Sequence, residues 1–189
     1  MDPRPTRRTL TRGIAWSVPV VSVAATAPAF AASPCNCPEF WVPGFPAAGQ
    51  SGNGWTISAT GGTSGGGTDQ FQNGGFVTVA DPPTLGTRTV SATRSICVTQ
   101  GRTYRFTYSW NAYVVNPRPM TSVLQVNGVT ITGSTIDTST NQTSGTRSVT
   151  WVSNTTGNVT LSFVHTVVAS GTTVTGDDIT ITNVAGSCS

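Results

Sequence analysis

The sequence contains no lysine and few charged residues, so ten arginines and seven acids supply nearly all of its side-chain charge. Four of these arginines and one of these acids lie within the first twelve residues, which leaves six of each in the rest of the chain. Nucleic acids and anionic membrane surfaces are bound by concentrated positive charge. The near-neutral remainder therefore argues against nucleic acid as a partner and against a basic membrane-binding patch.

Histidine is almost absent, since His165 is the only one in the chain. It alternates in phase with the apolar residues Phe163 and Val167, which predicts a buried side chain, although histidine can serve as a general base. The sequence has neither a Gly-x-Ser-x-Gly elbow nor a pair of metal-binding histidines. The spacing of the few carboxylates does not indicate a catalytic pair. The sequence thus predicts a non-catalytic protein, and a small hydrolase is the least favoured alternative.

No apolar run is long enough to span a bilayer, which takes about 20 apolar residues in a helix. The run over residues 13–27 follows a basic segment, is interrupted by Pro19, and precedes the small-residue motif Ala29-Phe-Ala31. This order is typical of an export signal with its cleavage site. The segment Thr6-Arg7-Arg8-Thr9-Leu10 also resembles a twin-arginine signal, with the general secretory route as the alternative. Residues 1–31 are therefore predicted to be a signal peptide, and the mature chain to be secreted or at the cell surface.

Cysteine is scarce but even in number, with Cys35, Cys37, Cys97 and Cys188. An even count in an exported chain predicts disulfides. A bond between Cys35 and Cys37 would close a very tight ring, so we expect each of them to pair with Cys97 or Cys188, in either combination. The alternative is a metal site on Cys-Asn-Cys, which lacks a second close pair of ligands.

Helical periodicity is missing over any useful length, and strand-like segments separated by turn signals recur instead. Asn127-Gly128 predicts a two-residue hairpin, and residues 61–67 predict a glycine-rich connection rather than a phosphate-binding loop, which would need a lysine. Residues 54–189 are therefore predicted to fold as an all-β, antiparallel two-sheet sandwich. The predicted strands are residues 54–59, 75–80, 87–92, 94–98, 103–110, 122–127, 129–133, 146–152, 158–167 and 178–184.

Residues 32–53 are rich in proline, glycine and alanine and predict an irregular wrap around the sandwich. Two bridges from Cys35 and Cys37 would attach this wrap to the sandwich. Its large side chains, Phe40, Trp41 and Phe45, are expected to fill gaps in the body.

The strongest strand signal lies in residues 103–110, where aromatic and polar side chains alternate. Successive side chains of a strand point to opposite faces, so this strand has one aromatic face and one polar face. The aromatic face predicts the centre of the core. If the strand continues in register, the polar face extends beyond residue 110. The aromatic residues are Tyr104, Phe106, Tyr108 and Trp110, and the polar face comprises Arg105, Thr107, Ser109, Asn111 and Tyr113.

Three motifs resemble those of jelly-roll carbohydrate-binding modules of the cellulase-associated CenC type. They are Ile96-Cys-Val-Thr-Gln-Gly-Arg-Thr-Tyr-Arg-Phe106, Asp177-Asp178-Ile-Thr-Ile181, and the pair of Pro43-Gly-Phe45 with Gly54-Trp55. The resemblance spans residues 41–184 and implies a jelly-roll sandwich. It also implies a structural calcium ion held by Asp177 and Asp178, although Pro46 stands where the family has a glutamate ligand.

The resemblance further implies that the polar face binds a polysaccharide or a cell-surface glycan. Such modules stack aromatic rings on sugars and bind the hydroxyl groups through polar side chains. Tyr113 would supply the ring, and Arg105, Thr107, Ser109 and Asn111 the polar groups. We therefore expect a secreted, non-catalytic carbohydrate-binding module. The alternative is a structural or adhesive surface protein whose polar sheet contacts other proteins.

Overall fold

The computed structural model describes residues 35–114, 118–140, 143–169 and 175–189. The predicted signal peptide, residues 1–31, lies outside the described residues. Two 3-10 turns occur in the described part, at Cys37–Glu39 and Thr138–Thr140. The strands are β1 (Ala48–Gly49), β2 (Ser51–Gly52), β3 (Trp55–Gly61), β4 (Asp69–Gln72), β5 (Gly75–Thr78), β6 (Arg88–Val98), β7 (Thr103–Tyr113), β8 (Met120–Val126), β9 (Val129–Thr130), β10 (Ile136–Asp137), β11 (Ser144–Val152), β12 (Gly157–Val167) and β13 (Asp178–Cys188).

The strands form two antiparallel sheets. The six-stranded sheet has the order β1-β4-β5-β13-β7-β11, and the seven-stranded sheet has the order β10-β8-β12-β6-β3-β2, with β9 paired to β8. Both sheets contribute apolar side chains to one shared core. The predicted fold, an all-β antiparallel jelly-roll sandwich, is confirmed.

Individual strands differ in part from the prediction. Residues 88–98 form the single strand β6, whereas two strands, 87–92 and 94–98, were expected there. The sequence analysis missed four short strands, β1, β2, β4 and β10, of which β4 has four residues and the others have two each. The predicted hairpin at Asn127-Gly128 is confirmed, since both residues have positive φ angles, 48° and 79°. These angles suit the turn because asparagine and glycine tolerate the left-handed region.

The aromatic face of β7 lies at the centre of the core, as predicted. Tyr104, Phe106, Tyr108 and Trp110 are all buried, at 5% exposure or less. Tyr108 meets Phe163 of the opposite sheet edge to face, with ring centroids 5.0 Å apart. Burial of a large apolar side chain stabilises a fold by about 1.5–3 kcal/mol. Strand β7 therefore makes a large contribution to holding the two sheets together.

Two disulfides attach the N-terminal segment to the sandwich, which confirms the expected pairing scheme. Cys35 bonds to Cys97 at the end of β6, and Cys37 bonds to Cys188 at the end of β13. One bridge therefore reaches each sheet. The end of the wrap joins both sheets as well, through β1 at one edge of the six-stranded sheet and β2 at one edge of the seven-stranded sheet.

The aromatic residues of the wrap behave differently from one another. Phe45 is buried, with its ring 4.7 Å from that of Trp55, and Phe40 packs edge-on against Tyr104 at 4.7 Å. Both agree with the prediction. Trp41, which was also expected to fill a gap, is 68% exposed, so that prediction is wrong. The backbone at Phe40 is extended, and side chains of an extended chain alternate, so Trp41 points outward between two inward neighbours.

Gly186 of β13 makes room for this segment. A Cβ atom added at Gly186 would lie 2.5 Å from the side chain of Val42 and 2.8 Å from that of Phe40. Val42 is almost completely buried. The glycine thus lets the wrap lie directly against the end of the six-stranded sheet. Among the described residues, no helix has the length and hydropathy that a bilayer crossing requires.

His165 is buried in the core, as its position in β12 predicted. Its Nδ1 atom lies 2.9 Å from the hydroxyl of Thr78, and its ring stacks on Phe76 with centroids 4.3 Å apart. Its Nε2 atom is buried and has no hydrogen-bond partner among the described residues. Burial lowers the pKa of His165 from 6.5 to about 3. The imidazole is therefore neutral in the folded protein at all but strongly acidic pH.

This pKa predicts acid sensitivity. The unfolded chain binds a proton at His165 below pH 6.5, whereas the folded chain does so only near pH 3. The free energy of unfolding therefore decreases as the pH is lowered from 6.5 to 3. At pH 4 the loss from this group is roughly 3 kcal/mol. Chemical denaturation at pH 7 and pH 4 measures the difference in the free energy of unfolding.

The matched variant is His165→Gln, which removes the titrating group whatever its effect on absolute stability. We expect its free energy of unfolding to depend less steeply on pH over this interval than that of the wild type. Burial raises the pKa of Asp178, so this group increases the free energy of unfolding as the pH is lowered. The effect is present in both proteins and therefore cancels when their pH dependences are compared. Equal pH dependence in the two proteins would contradict the assignment.

Candidate functional site

The five residues predicted to bind a ligand lie on the outer surface of the six-stranded sheet. Arg105, Asn111 and Tyr113 are exposed, and Thr107 and Ser109 are half-buried. They alternate with the buried aromatic residues of β7, so the outward direction of the whole set follows from the strand period. The structure thus places all five side chains on one solvent-facing surface.

Neighbouring strands extend this surface with hydroxyl groups. Strand β11 pairs with β7 so that Thr146 lies opposite Ser109 and Ser148 lies opposite Thr107. On the other side of β7, Thr182 of β13 is the partner of Ser109. Residues directly opposite each other in antiparallel strands point to the same side. We call this surface the polar face; it comprises Arg105, Thr107, Ser109, Asn111, Tyr113, Ser144, Thr146, Ser148, Thr150, Thr180, Thr182 and Asn183.

A β-bulge interrupts β13 at the middle of the polar face. The register with β7 shifts between Thr182 and Ala185, and Asn183 has a φ angle of 53°. The Asn183 amide nitrogen donates a hydrogen bond to the Ser109 hydroxyl oxygen at 3.3 Å. Bulges commonly redirect a side chain beside a functional site. Here the bulge adds an amide group to the polar face, at a position that sequence reasoning did not identify.

The bulge borders a depression of about 380 Å³ in the polar face. Its walls bring together hydroxyl groups from β7 and β11 with the amide of Asn183. Arg105 lies beside it and donates a hydrogen bond from Nη1 to the Ser148 hydroxyl at 3.2 Å. The lining residues are Thr107, Tyr108, Ser109, Thr146, Arg147, Ser148 and Asn183.

Asn111 and Tyr113 do not line this depression. Tyr113 is 62% exposed and lies at the end of β7. It lies four residue steps beyond Ser109, which corresponds to about 13 Å along a strand. The predicted site is therefore divided into a central polar depression and an aromatic ring at one end of the same surface.

The two aspartates predicted to bind calcium lie at the start of β13 and have protein partners. Asp177 is buried, and its carboxylate accepts a hydrogen bond from the Thr138 hydroxyl. Asp177 also lies close enough to Arg118 to favour the charged guanidinium. The Asp178 carboxylate accepts the backbone N–H of Ala80 at 3.1 Å, and burial raises the pKa of Asp178. Both carboxylates thus support the packing of distant segments.

These surroundings do not fit a calcium site well. Calcium takes six to eight oxygen ligands, usually with several carboxylates. The part of the chain that the structure describes has no group of three His, Cys, Asp or Glu residues placed to hold a metal ion. A cationic guanidinium near Asp177 would also repel a divalent cation. Calcium binding therefore stays an expectation from the resemblance alone.

A calcium test follows from this arrangement. We expect EDTA to leave the melting temperature of the protein unchanged, because the two carboxylates already have a cation and hydrogen-bond donors as partners. Differential scanning fluorimetry with EDTA and with added calcium measures the effect. A melting temperature that rises with calcium and falls again with EDTA would support the ion and contradict our interpretation of the aspartate pair.

Comparisons with known proteins yield matches only among solved structures. No protein-family model matches the sequence, and no curated protein matches it. The chain is similar to a carbohydrate-binding module of family CBM4, with 16% identity, a TM-score of 0.45, and coverage of 82% of this chain and 99% of the module. It is also similar to the N-terminal cellulose-binding domain of β-1,4-glucanase C from Cellulomonas fimi, with 12% identity, a TM-score of 0.45, and coverage of 78% and 97%.

A third similar structure is the enzymatically active domain of tailspike protein 4 from bacteriophage CBA120. Its identity to this chain is 17% and the TM-score is 0.41, with coverage of 72% of this chain and 19% of the tailspike chain. The jelly-roll sandwich described above is defined by the two sheets themselves.

Proposed function

We propose that this protein is a secreted, non-catalytic module that binds polysaccharide through its polar face. The depression beside Asn183 is the observation that carries the proposal. It gathers hydroxyl groups, an amide and a nearby guanidinium on an exposed sheet surface that carries little charge. Similar solved structures include carbohydrate-binding modules, and the proposal names the same ligand class, but it depends on the chemistry of this surface.

The functional groups of the polar face suit a neutral, hydroxyl-bearing ligand. A serine or threonine hydroxyl can donate and accept, an asparagine amide does both, and arginine offers five N–H donors. Sugar hydroxyls likewise donate and accept, so they can pair with such a surface without leaving a charge unpartnered. The exposed ring of Tyr113 adds an apolar surface on which the C–H side of a sugar ring can stack.

The dimensions of the polar face favour a polymer. From Arg105 to Tyr113 the strand covers eight residue steps, or about 26 Å. The surface is open, and it is not enclosed like a pocket for one small molecule. We therefore propose an extended glycan chain along β7, with one part in the central depression and another part on Tyr113.

The properties of the titratable groups favour binding over turnover. His165 is the only histidine in the sequence, and it is buried and neutral. Asp177 and Asp178 are engaged with Thr138 and Ala80. General acid–base catalysis needs a titratable group within reach of the substrate. His165 and Asp177 are buried, and Asp178, although it lies opposite Tyr113, is half-buried and accepts the backbone N–H of Ala80. We propose a secreted or cell-surface location because two disulfides and the signal-like N-terminus suit an oxidising compartment.

Glycan retention tests the proposed function directly. Wild-type protein should be retained by at least one insoluble polysaccharide, such as cellulose, xylan or mannan, and by the corresponding glycans on an array. Asn183→Gly should weaken binding about three- to tenfold, because it removes one amide hydrogen bond worth about 0.5–1.5 kcal/mol. Glycine accepts the positive φ angle of this position, so the melting temperature should change little.

Tyr113→Ala tests the other end of the polar face, with Thr160→Ala as the matched control. Tyr113→Ala should weaken retention about tenfold, the effect of losing roughly 1.4 kcal/mol of ring contact. Thr160 is exposed on β12 of the other sheet, so its replacement should leave binding and melting unchanged. Retention on no glycan, together with self-association or capture of a surface protein, would reject the proposal in favour of an adhesive role.

A further inference from the structure

Trp41 is exposed, yet the backbone on both sides of it is firmly held. The preceding Phe40 packs on Tyr104, and the following Val42 is buried. Pro43 accepts a hydrogen bond from the indole N–H of Trp55 at 2.9 Å. The Cys37–Cys188 disulfide lies four residues before Trp41. Binding of a ligand on this indole would therefore lose little free energy to ordering the backbone around Trp41.

Two hollows meet at the Trp41 side chain, and Arg94 lines both of them. One has a volume of about 320 Å³ and the other of about 540 Å³, which is within the usual range of ligand pockets. They combine aromatic surface with side chains of both charge signs and with amide groups. The first is lined by Cys35, Asn36, Glu39, Phe40, Trp41, Arg94, Ser95, Ile96 and Cys97, and the second by Trp41, Pro43, Gly44, Asn53, Gly54 and Arg94.

Arg94 has unused hydrogen-bonding capacity between these hollows. Its guanidinium carbon lies 5.5 Å from the ring centre of Trp55, and Nη1 donates to the backbone oxygen of Asn53 at 3.0 Å. Its Nε atom is buried and has no hydrogen-bond partner among the described residues, so donation to a ligand falls to the Nη N–H groups that Asn53 does not use. The stacking and the hydrogen bond fix the guanidinium plane. The side chain is thus positioned to donate to a ligand beside Trp41.

We infer that Trp41, Arg94 and the surrounding hollows form a second binding site that takes a neutral sugar ring. The indole would receive the apolar side of the ring, as aromatic surfaces do. Arg94 would donate to its hydroxyl groups, and Glu39 could accept from them. The opposite charges of Arg94 and Glu39 balance each other, which favours a neutral ligand over an anionic one. The choice of a sugar as the ligand rests on the proposed function, whereas the residues that form this site are not those of the polar face.

This site is well separated from the central depression and from Tyr113. Phe40, next to Trp41, packs on Tyr104 near the start of β7. Ser109 lies five residues further along that strand, or about 16 Å away, and Tyr113 nine residues, or about 30 Å. The two sites therefore contact different parts of a polymer or two separate chains. Two linked contacts raise the apparent affinity for a polymer well above that of either contact alone.

Tryptophan emission can detect this site separately from the polar face. Trp55 and Trp110 are buried and Trp151 is only partly exposed, so Trp41, at 68% exposure, has the most accessible indole among the described residues. Titration with soluble cellohexaose or mannohexaose should give a saturable emission change in the wild type and an undiminished one in Asn183→Gly. The change should disappear in Trp41→Ala and persist with weaker affinity in Trp41→Tyr. Leu85→Ala is the matched control, since Leu85 is 60% exposed and outside both hollows.

Retention on insoluble polysaccharide supplies the second readout. Trp41→Ala should lower the apparent affinity at least about tenfold without changing the melting temperature. If Trp41→Ala binds like the wild type while Tyr113→Ala does not, the second site is overturned and the proposed function stands. If neither hexaose gives a saturable emission change, the second site is overturned as a sugar site. A wild-type dimer that becomes monomeric in Trp41→Ala would overturn it in favour of a self-association surface.

Discussion

The aromatic side of β7 is the contact on which the rest of the molecule depends. Its four rings lie between the two sheets, where Tyr108 meets Phe163 of the opposite sheet. Because a strand alternates, burial of these rings also fixes the outward direction of Arg105, Thr107 and Ser109. A shift of one residue in register would exchange the two faces. The interaction that stabilises the sandwich thus also presents the polar face to solvent.

The N-terminal wrap adds a second constraint, at the opposite end of β7 from Tyr113. Its two disulfides reach both sheets, and Gly186 leaves the space in which Val42 lies. Anchoring the wrap in this way packs Phe40 against Tyr104, buries Val42 and leaves Trp41 outside. Side chains alternate between two sides both in strand β7 and in the extended wrap. This alternation exposes the polar face in β7 and the Trp41 side chain in the wrap.

The period-2 pattern was sufficient to predict the fold, the core face of β7, the buried His165 and the outward direction of the polar residues. The pattern could not predict the bulge, because nothing local in Thr-Asn-Val-Ala distinguishes a bulge from a continuous strand; the register with β7 decides it. The exposure of Trp41 depends on the path that the disulfides impose on the wrap. The hydrogen bond from Ala80 to Asp178 could not be predicted from the sequence either, because the two residues lie 98 positions apart in the chain.

Chemical-shift mapping by NMR tests the central claim most directly. Isotope-labelled protein titrated with cellohexaose or mannohexaose should show saturable amide shifts that cluster at residues 107–109 of β7, residues 146–148 of β11 and Asn183. Apart from the residues that line the Trp41 hollows, the outer surface of the seven-stranded sheet should remain unshifted. Saturable shifts confined to that other surface, or no shifts with either hexaose, would contradict the assignment of the polar face as a glycan-binding surface.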